Sequence, residues 1–334
     1  MKHSFTCALI TIFVILMLVL VLVIVILKNE PAPYDDIKEG IYLPKLPKLP
    51  KLTYCATLKH TLPMSVFYSF TNDVQTRDVL GMARIRYDKH QLVRVRLARD
   101  YTVEYIDEYT HETTPPQGSV ILGEDPRAFV HQGRILVLDN TLNDNHLIPF
   151  DNPTSQRVRL HREGKNGCMI SRGDELLLLD LTNSKLFEVD VLTGALAESS
   201  FTIPKPEYFV QRLQDRHPGR ADDKHDIVKS EYRGGTPGYE ILPGTYAGFG
   251  HRTYTRDSVL THDIFHWILS LPSKPHADAC GLKIFEMIQP PQSSVITDPT
   301  CIFRMDGKTC MVTAESDKPW FQDQPYMNRV YIVS

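Results

Sequence analysis

The chain has 334 residues, and its 37 Lys and Arg stand against 40 Asp and Glu, a formal net charge of −3. That near-balance excludes bulk attraction to nucleic acid or to anionic lipid. The six cysteines form no CxxC pair, so no zinc-finger spacing is present.

From Ala8 to Leu27 the chain is an apolar run in which Thr11 is the clearly polar side chain. About 20 helical residues span the hydrocarbon core of a bilayer. Lys28-Asn29-Glu30-Pro31 follows, without the small residues of a cleavage site. An uncleaved anchor is therefore expected over residues 1–28, with residues 5–27 in contact with lipid. Lys2 lies before the run and Lys28 and Lys38 after it, so charge alone does not orient the span. A short tail ahead of a large C-terminal domain suits a single-pass type II protein of Golgi or secretory membranes. No Asn-x-Ser/Thr acceptor with a permitted middle residue occurs.

Residues 44–52 repeat Pro-Lys-Leu, a period that favours polyproline II. A Pro-rich stalk is expected over residues 29–54. A docking peptide for a Pro-binding module is the alternative.

From residue 55 to 334 helical periodicity is absent and one β domain is expected. Leu92 to Leu97 alternates with a period of two, as does Lys185 to Val191, which ends at the turn signal Thr193-Gly194. Arg134–Leu138 and Glu175–Leu179 are apolar runs too short for stable helices, and they read as buried strands. Hairpins are expected over Phe129–Leu138, Cys168–Leu179 and Cys301–Val312, the last turning at Asp306-Gly307. Their spacing suits propeller blades; a β-sandwich with long loops is the alternative. Cys301 and Cys310 flank that last turn and are either a cross-strand disulfide or two reduced core thiols.

Three clusters carry candidate chemistry. Gly123-Glu124-Asp125-Pro126-Arg127 sets two carboxylates and a guanidinium beside a stiff turn just before a strand. Carboxylates grip sugar hydroxyls and transfer protons, and a guanidinium holds an anion bidentately; an internally paired Asp-Pro turn uses the same residues. Arg233-Gly234-Gly235-Thr236-Pro237, leading to Glu240, allows close backbone approach to a ligand or forms a turn between blades. It is neither a Walker loop nor a dinucleotide fingerprint. Tyr246 to Tyr254 alternates small and aromatic residues and carries His251 and Arg252; His262, Asp263, His266 and Trp267 follow. His251, Arg252 and His262 suit phosphate or sugar oxygens, and Tyr254 and Trp267 suit the apolar face of a pyranose. His262-Asp263-x-x-His266 lacks a third ligand at zinc spacing, so no metal site is expected. The mixed-charge segment from Asp215 to Lys229 reads as a loop over the funnel mouth.

On these residues the chain resembles the five-bladed β-propeller carbohydrate-active enzymes, in particular the β-mannoside phosphorylases (glycoside hydrolase family 130) and related β-mannosyltransferases. Glu124-Asp125-Pro126-Arg127 is the most specific point of likeness, followed by the Arg233-Gly234-Gly235-Thr236-Pro237 turn and the Tyr246 to His251 ladder. The resemblance implies an all-β, five-bladed propeller behind the anchor, with Asp125 as proton donor to the glycosidic oxygen and Glu124 beside it. It places Arg127, Arg233, His251 and Arg252 at the substrate; Thr236, Glu240, Tyr254, His262 and Asp263 are further candidates for substrate contact from the clusters themselves. The full phosphate-binding set of the phosphorylases is not matched. The anchor and stalk resemble the layout of a Golgi glycosyltransferase. The expected activity is inverting transfer of a hexose or pentose from an activated sugar or sugar phosphate to a glycan acceptor, with no cofactor. Hydrolysis or phosphorolysis on the same fold, or glycan binding without catalysis, are the alternatives. No DxD motif is present to hold a nucleotide-sugar metal.

Overall fold

The computed structural model describes residues 49–60, 66–86, 90–106, 121–140, 145–153, 156–161, 167–203, 206–209, 231–256, 259–272, 280–286, 295–317 and 326–334. The expected anchor, most of the expected stalk and the loop around Asp215 to Lys229 lie outside them. Among the described residues no helix is long and apolar enough to cross a membrane, and all regular structure is β.

β1 (Leu52–Thr57) is followed by a first group: β2 (Val66–Asn72), β3 (Val79–Arg86), β4 (His90–Leu97), β5 (Val103–Tyr105) and β6 (Ile121–Leu122). The second group is β7 (Arg127–His131), β8 (Arg134–Asp139), β9 (His146–Pro149) and β10 (Val158–Arg159). The third is β11 (Cys168–Arg172), β12 (Glu175–Asp180), β13 (Lys185–Val189) and β14 (Leu196–Glu198). β15 (Glu207–Phe209), β16 (Glu231–Gly234), β17 (Tyr239–Leu242), β18 (Thr245–Arg256), β19 (Val259–Ser270) and β20 (Gly281–Glu286) form the fourth. β21 (Ile296–Met305), β22 (Lys308–Ser316) and β23 (Met327–Val333) complete the chain.

The first three groups are separate antiparallel meanders. The last two share a ten-stranded sheet, joined where β19 and β21 run parallel at the pair His262 and Ile296. β1 pairs with β23, so the first strand of the domain closes the last sheet. Residues from Leu52 onward in the segment expected to be stalk belong to that strand.

Period-two burial explains why the apolar runs are strands. In β12, Leu177 and Leu179 face the fourth group, while Leu176 and Leu178 face the second. A strand buried on both faces needs no alternation in hydropathy, and each such leucine contributes about 2 kcal/mol of burial. The same logic links every neighbouring pair. Met82 and Leu92 meet Ala128 and Val137. Phe129 and Leu138 meet Met169 and Leu178. Ile170 and Leu179 meet Phe265 and Trp267. Phe249 and Ile264 meet Met311 and Tyr331, and Phe303 and Val312 meet Phe70 and Val95. The succession of shared cores returns to its start, which two stacked sheets do not do; the sandwich alternative is not the one formed.

The expected hairpins are present, β7 with β8, β11 with β12 and β21 with β22. Gln132-Gly133 and Asp306-Gly307 both take positive φ at their two turn positions, as two-residue hairpins require. Cys301 lies opposite Val312 and Cys310 opposite Phe303, and both thiols are free. The register therefore settles the earlier choice in favour of reduced core thiols.

Candidate active site

The turn Gly123 to Pro126 projects Asp125 because the two residues after β8's apolar run hold it from behind. The Glu124 N–H donates to Asp139 Oδ1 at 2.9 Å. Asn140 donates from its backbone to the Glu124 carbonyl at 3.0 Å and from its side chain to the Asp125 carbonyl at 3.3 Å. Asp125 takes φ of +43°, a conformation that Asp tolerates better than most residues. Gly123 is required here, since a Cβ would lie 2.6 Å from Asp139 Oδ2.

Arg84 Nη1 donates to Asp125 Oδ1 at 2.6 Å. Its guanidinium lies over the rings of Phe67 and Tyr326, at 5.2 and 5.7 Å from their centroids. Burial pushes the Arg84 guanidinium down, but Asp125 and Tyr326 outweigh it and hold it above its ordinary value. Arg127 is buried over Phe67 at 4.6 Å and donates to the Pro126 carbonyl at 3.2 Å. Burial lowers it, and the charges of Asp125 and Asp298 oppose that shift. Arg127 thus stands electrostatically between a carboxylate on the turn before β7 and one in β21.

Asp298, in β21, accepts from or shares a proton with His262 Nδ1 at 2.6 Å. Its Oδ1 lies 3.7 Å from His251 Nδ1. The two imidazoles stack with centroids 4.8 Å apart and planes 22° from parallel. Burial would raise the Asp298 carboxyl, yet His262, His251 and Arg127 hold it well below the usual carboxylate range. Burial pushes the His251 imidazole down to about 3, with Asp298 resisting and Arg127 and Arg233 assisting.

These residues share one end of the fold. Phe67, Arg127 and Asp298 stand at the N-terminal ends of β2, β7 and β21, and Arg84 faces Phe67 across the β2–β3 register. Ser69 stitches the three strands: its hydroxyl accepts from Ala128 N at 2.8 Å and donates to the Thr300 carbonyl at 3.3 Å. A surface cavity of about 520 Å³ lies at the C-terminal ends of β2 and β21, lined by Asn72, Arg77, Arg304 and Asp306 among others. None of the candidate residues lines it, and its position is remote from the paired charges.

The fold brings together some of the residues singled out in the sequence and separates others. Asp125 and Arg127 meet Asp298, which meets His251 and His262; Arg233 pairs with His251 in register, on the same face. Glu124 is half-buried in the turn. Arg252 and Asp263 are opposite each other in the β18–β19 register, and strand alternation turns them to the other face. Thr236 is buried, and its hydroxyl accepts from Phe249 N at 2.9 Å, so it fastens a turn to β18 instead of facing a ligand. Glu240 is exposed and accepts from Gly244 N at 2.9 Å, closing the β17–β18 turn. Trp267 is fully buried and cannot stack on a sugar. The small residues of β18 make room for rings and do not line a funnel: a Cβ at Gly248 would lie 2.4 Å from Trp267, and one at Gly250 2.3 Å from Phe265. Tyr254 belongs to β18, and its side chain lies outside the described residues.

Arg84, Asp298, Phe67 and Tyr326 complete the cluster and lie outside the three sequence motifs. Thr297-Asp298-Pro299 repeats the Asp-Pro step of Asp125-Pro126, which was the available signal. Arg84 offered another, as a charge inside the apolar strand Met82 to Ile85.

No protein-family model matches the sequence, and no curated protein is similar to it at the sequence level. Among solved structures the chain is similar to MPT-1, a GDP-Man-dependent mannosyltransferase from Leishmania mexicana. The identity is 13%, with 83% of this chain and 88% of that chain covered and a TM-score of 0.46. It is also similar to a glycosyl hydrolase from Bacteroides ovatus, with 10% identity, 80% and 84% coverage and a TM-score of 0.46. For the arabinanase Arb43A of Bacillus subtilis the values are 9%, 84% and 96%, and 0.45. Likeness at this level assigns neither a family nor a reaction to the chain.

Proposed function

We propose that the chain is a carbohydrate-active enzyme on a five-bladed β-propeller, tethered to a secretory membrane by its N-terminal segment. Its reaction is inverting transfer of a hexose or pentose from an activated sugar to a glycan acceptor. The observation that carries this reading is the Arg84–Asp125 ion pair beside buried Arg127, at the strand ends where Asp298 and its histidines also gather.

A carboxylate fixed on a turn can exchange a proton with a sugar oxygen, and guanidinium groups in a site that excludes water stabilise an anionic leaving group. Asp125 takes the first role. Arg84, Arg127 and Arg233 take the second, the leaving group of a sugar phosphate or nucleotide sugar carrying the charge they complement. Phe67 and Tyr326 fix Arg84 by cation–π contact, so its position is set before substrate arrives. The same density of guanidinium groups supports a second reading, phosphorolysis, in which inorganic phosphate occupies that position.

Full-length protein in detergent, incubated with nucleotide sugars and separately with oligosaccharides plus inorganic phosphate, separates the two readings. Transfer product from nucleotide sugars alone supports the first; product with the oligosaccharides alone removes it. Asp125→Asn is expected to abolish turnover while sugar binding persists. A fully active variant would show that Asp125 has no part in the chemistry.

A further inference from the structure

We infer that His251, His262 and Asp298 form a binding site for one divalent transition-metal ion of the zinc type. The inference does not rest on the transfer reaction. In the sequence His262 and His266, four residues apart, lack a third ligand at zinc spacing. The fold supplies different partners.

The β18–β19 register places His251 opposite Ile264 and Thr253 opposite His262, so the two imidazoles rise from one face of the hairpin. The parallel step between β19 and β21 then sets Asp298 beside them. One donor atom from each of the three lies within 4.8 Å of the others. Two imidazoles and a carboxylate from three strands are a three-ligand set of the type that leaves a further position for water or a ligand oxygen.

Hydrogen bonding inside the cluster does not account for all its nitrogens. Nδ1 of His251 and Nε2 of His262 have no hydrogen-bond partner among the described residues, although the residues are only 3% and 7% exposed. A buried polar nitrogen without a partner costs about 1–3 kcal/mol. A metal ion bound between His251 Nδ1 and Asp298 Oδ1, which lie 3.7 Å apart, uses the lone pair left over on His251. His266 is equally buried, but its ring packs on Phe249 at 5.0 Å and it takes no part in the cluster.

The donor set also selects the ion. Imidazole nitrogen suits zinc and its first-row neighbours, whereas calcium and magnesium take oxygen cages. Arg127 and Arg233 lie close enough to act on His251, and Arg127 on Asp298. Their charge opposes any cation, which further disfavours an ion held by weak, largely ionic bonds. Bonds of about 2 Å in a tetrahedral site place donors about 3.3 Å from one another, so binding draws His251 Nδ1 in from 3.7 Å of Asp298 Oδ1 and moves His262 Nδ1 out from 2.6 Å, replacing their direct hydrogen bond.

Full-length protein purified from zinc-supplemented culture and dialysed against metal-free buffer is assayed for metal content by mass spectrometry. About one zinc ion per chain is expected, falling to background in His251→Gln and in Asp298→Asn, while His266→Gln keeps it. Cobalt titrated into the folded wild-type protein gives a check free of variants, since tetrahedral nitrogen and oxygen ligation produces intense visible bands that zinc displaces. Zinc is also expected to raise the melting temperature of the wild-type protein and not of the two ligand variants. Wild-type protein with background zinc and no cobalt bands overturns the site, as do ligand variants that retain full zinc content.

Discussion

Arg84 donates to Asp125 at 2.6 Å across 41 positions of sequence, and the pair ties the end of β3 to the turn before β7. Both side chains are largely withdrawn from water, at 10% and 20% exposure. Removing one partner of such a pair leaves a largely desolvated charge without its hydrogen-bonded counter-ion. Arg84→Met is therefore expected to cost about 2–4 kcal/mol in denaturant unfolding. Arg84→Met combined with Asp125→Asn should recover much of that loss, because the orphaned charge is then gone. Strictly additive losses in the double-mutant cycle would mean that the pair is not coupled in solution.

The glycines of β18 give a second test. A Cβ on Gly250 would lie 2.4 Å from the Arg233 carbonyl oxygen, a backbone atom that cannot swing aside, and 2.3 Å from Phe265 Cζ. Gly250→Ala is expected to destabilise the protein by about 1–3 kcal/mol, as overpacked cores do. Because Gly250 precedes His251, the substitution should also disturb the stacked histidines. Gly281 has nothing within 4 Å of such a Cβ, so Gly281→Ala serves as the tolerated control. Thermal unfolding of the two variants checks the ranking, and equal melting temperatures would contradict it.

Much of the fold was legible because its strands carry local signatures. Gln132-Gly133 and Asp306-Gly307 name their turns, and Glu175 to Leu179 is too short for a helix and too apolar for a loop. The β18 ladder misled for a physical reason. Alternating glycine and aromatic residues look the same whether they line a funnel or seat cross-strand rings, and only the pairing with Phe265 and Trp267 distinguishes the two. Asp125 and Arg127 could be singled out because they flank one proline in a single short motif. Asp298 carries the same Asp-Pro step, but its meeting with the histidines depends on the parallel step between β19 and β21, a long-range contact.

Asp139 predicts a pH dependence. Burial pushes its carboxyl up to about 7, against the hydrogen bond from Glu124 N; Oδ2 has no hydrogen-bond partner among the described residues, and His146 Nδ1 lies 4.0 Å from it. A folded value above the ordinary 3.8 means that the native state keeps a proton the unfolded chain has already lost. Stability should therefore fall as pH rises from about 4 to about 7, by at most about 1.4 kcal/mol per pH unit from this group. Asp139→Asn keeps an oxygen for the Glu124 N–H and removes the titration. Urea midpoints at pH 5 and pH 7.5 should lie closer together in the variant than in the wild-type protein; an unchanged gap would assign the dependence elsewhere.

Glu315 is a fully buried carboxylate in β22 whose oxygens are all engaged. Protein donors replace water at its carboxylate: Tyr331 donates to Oε1 at 2.7 Å, Thr313 donates to the same oxygen at 2.6 Å, and Arg329 pairs with Oε2. Two of those partners belong to β23, which also holds β1, so the network reinforces the seam where the two ends of the domain meet. Glu315→Ala takes the acceptor from the largely buried Arg329 guanidinium and from the Tyr331 hydroxyl, and is expected to cost about 3–5 kcal/mol. Glu315→Gln retains one acceptor for Tyr331 and Thr313 and should cost less, the difference reporting the charge on Arg329. Hydrogen exchange should locate the loss in β23 and β1 before the other strands. Equal protection of all strands in Glu315→Ala would show that the closure does not depend on this carboxylate.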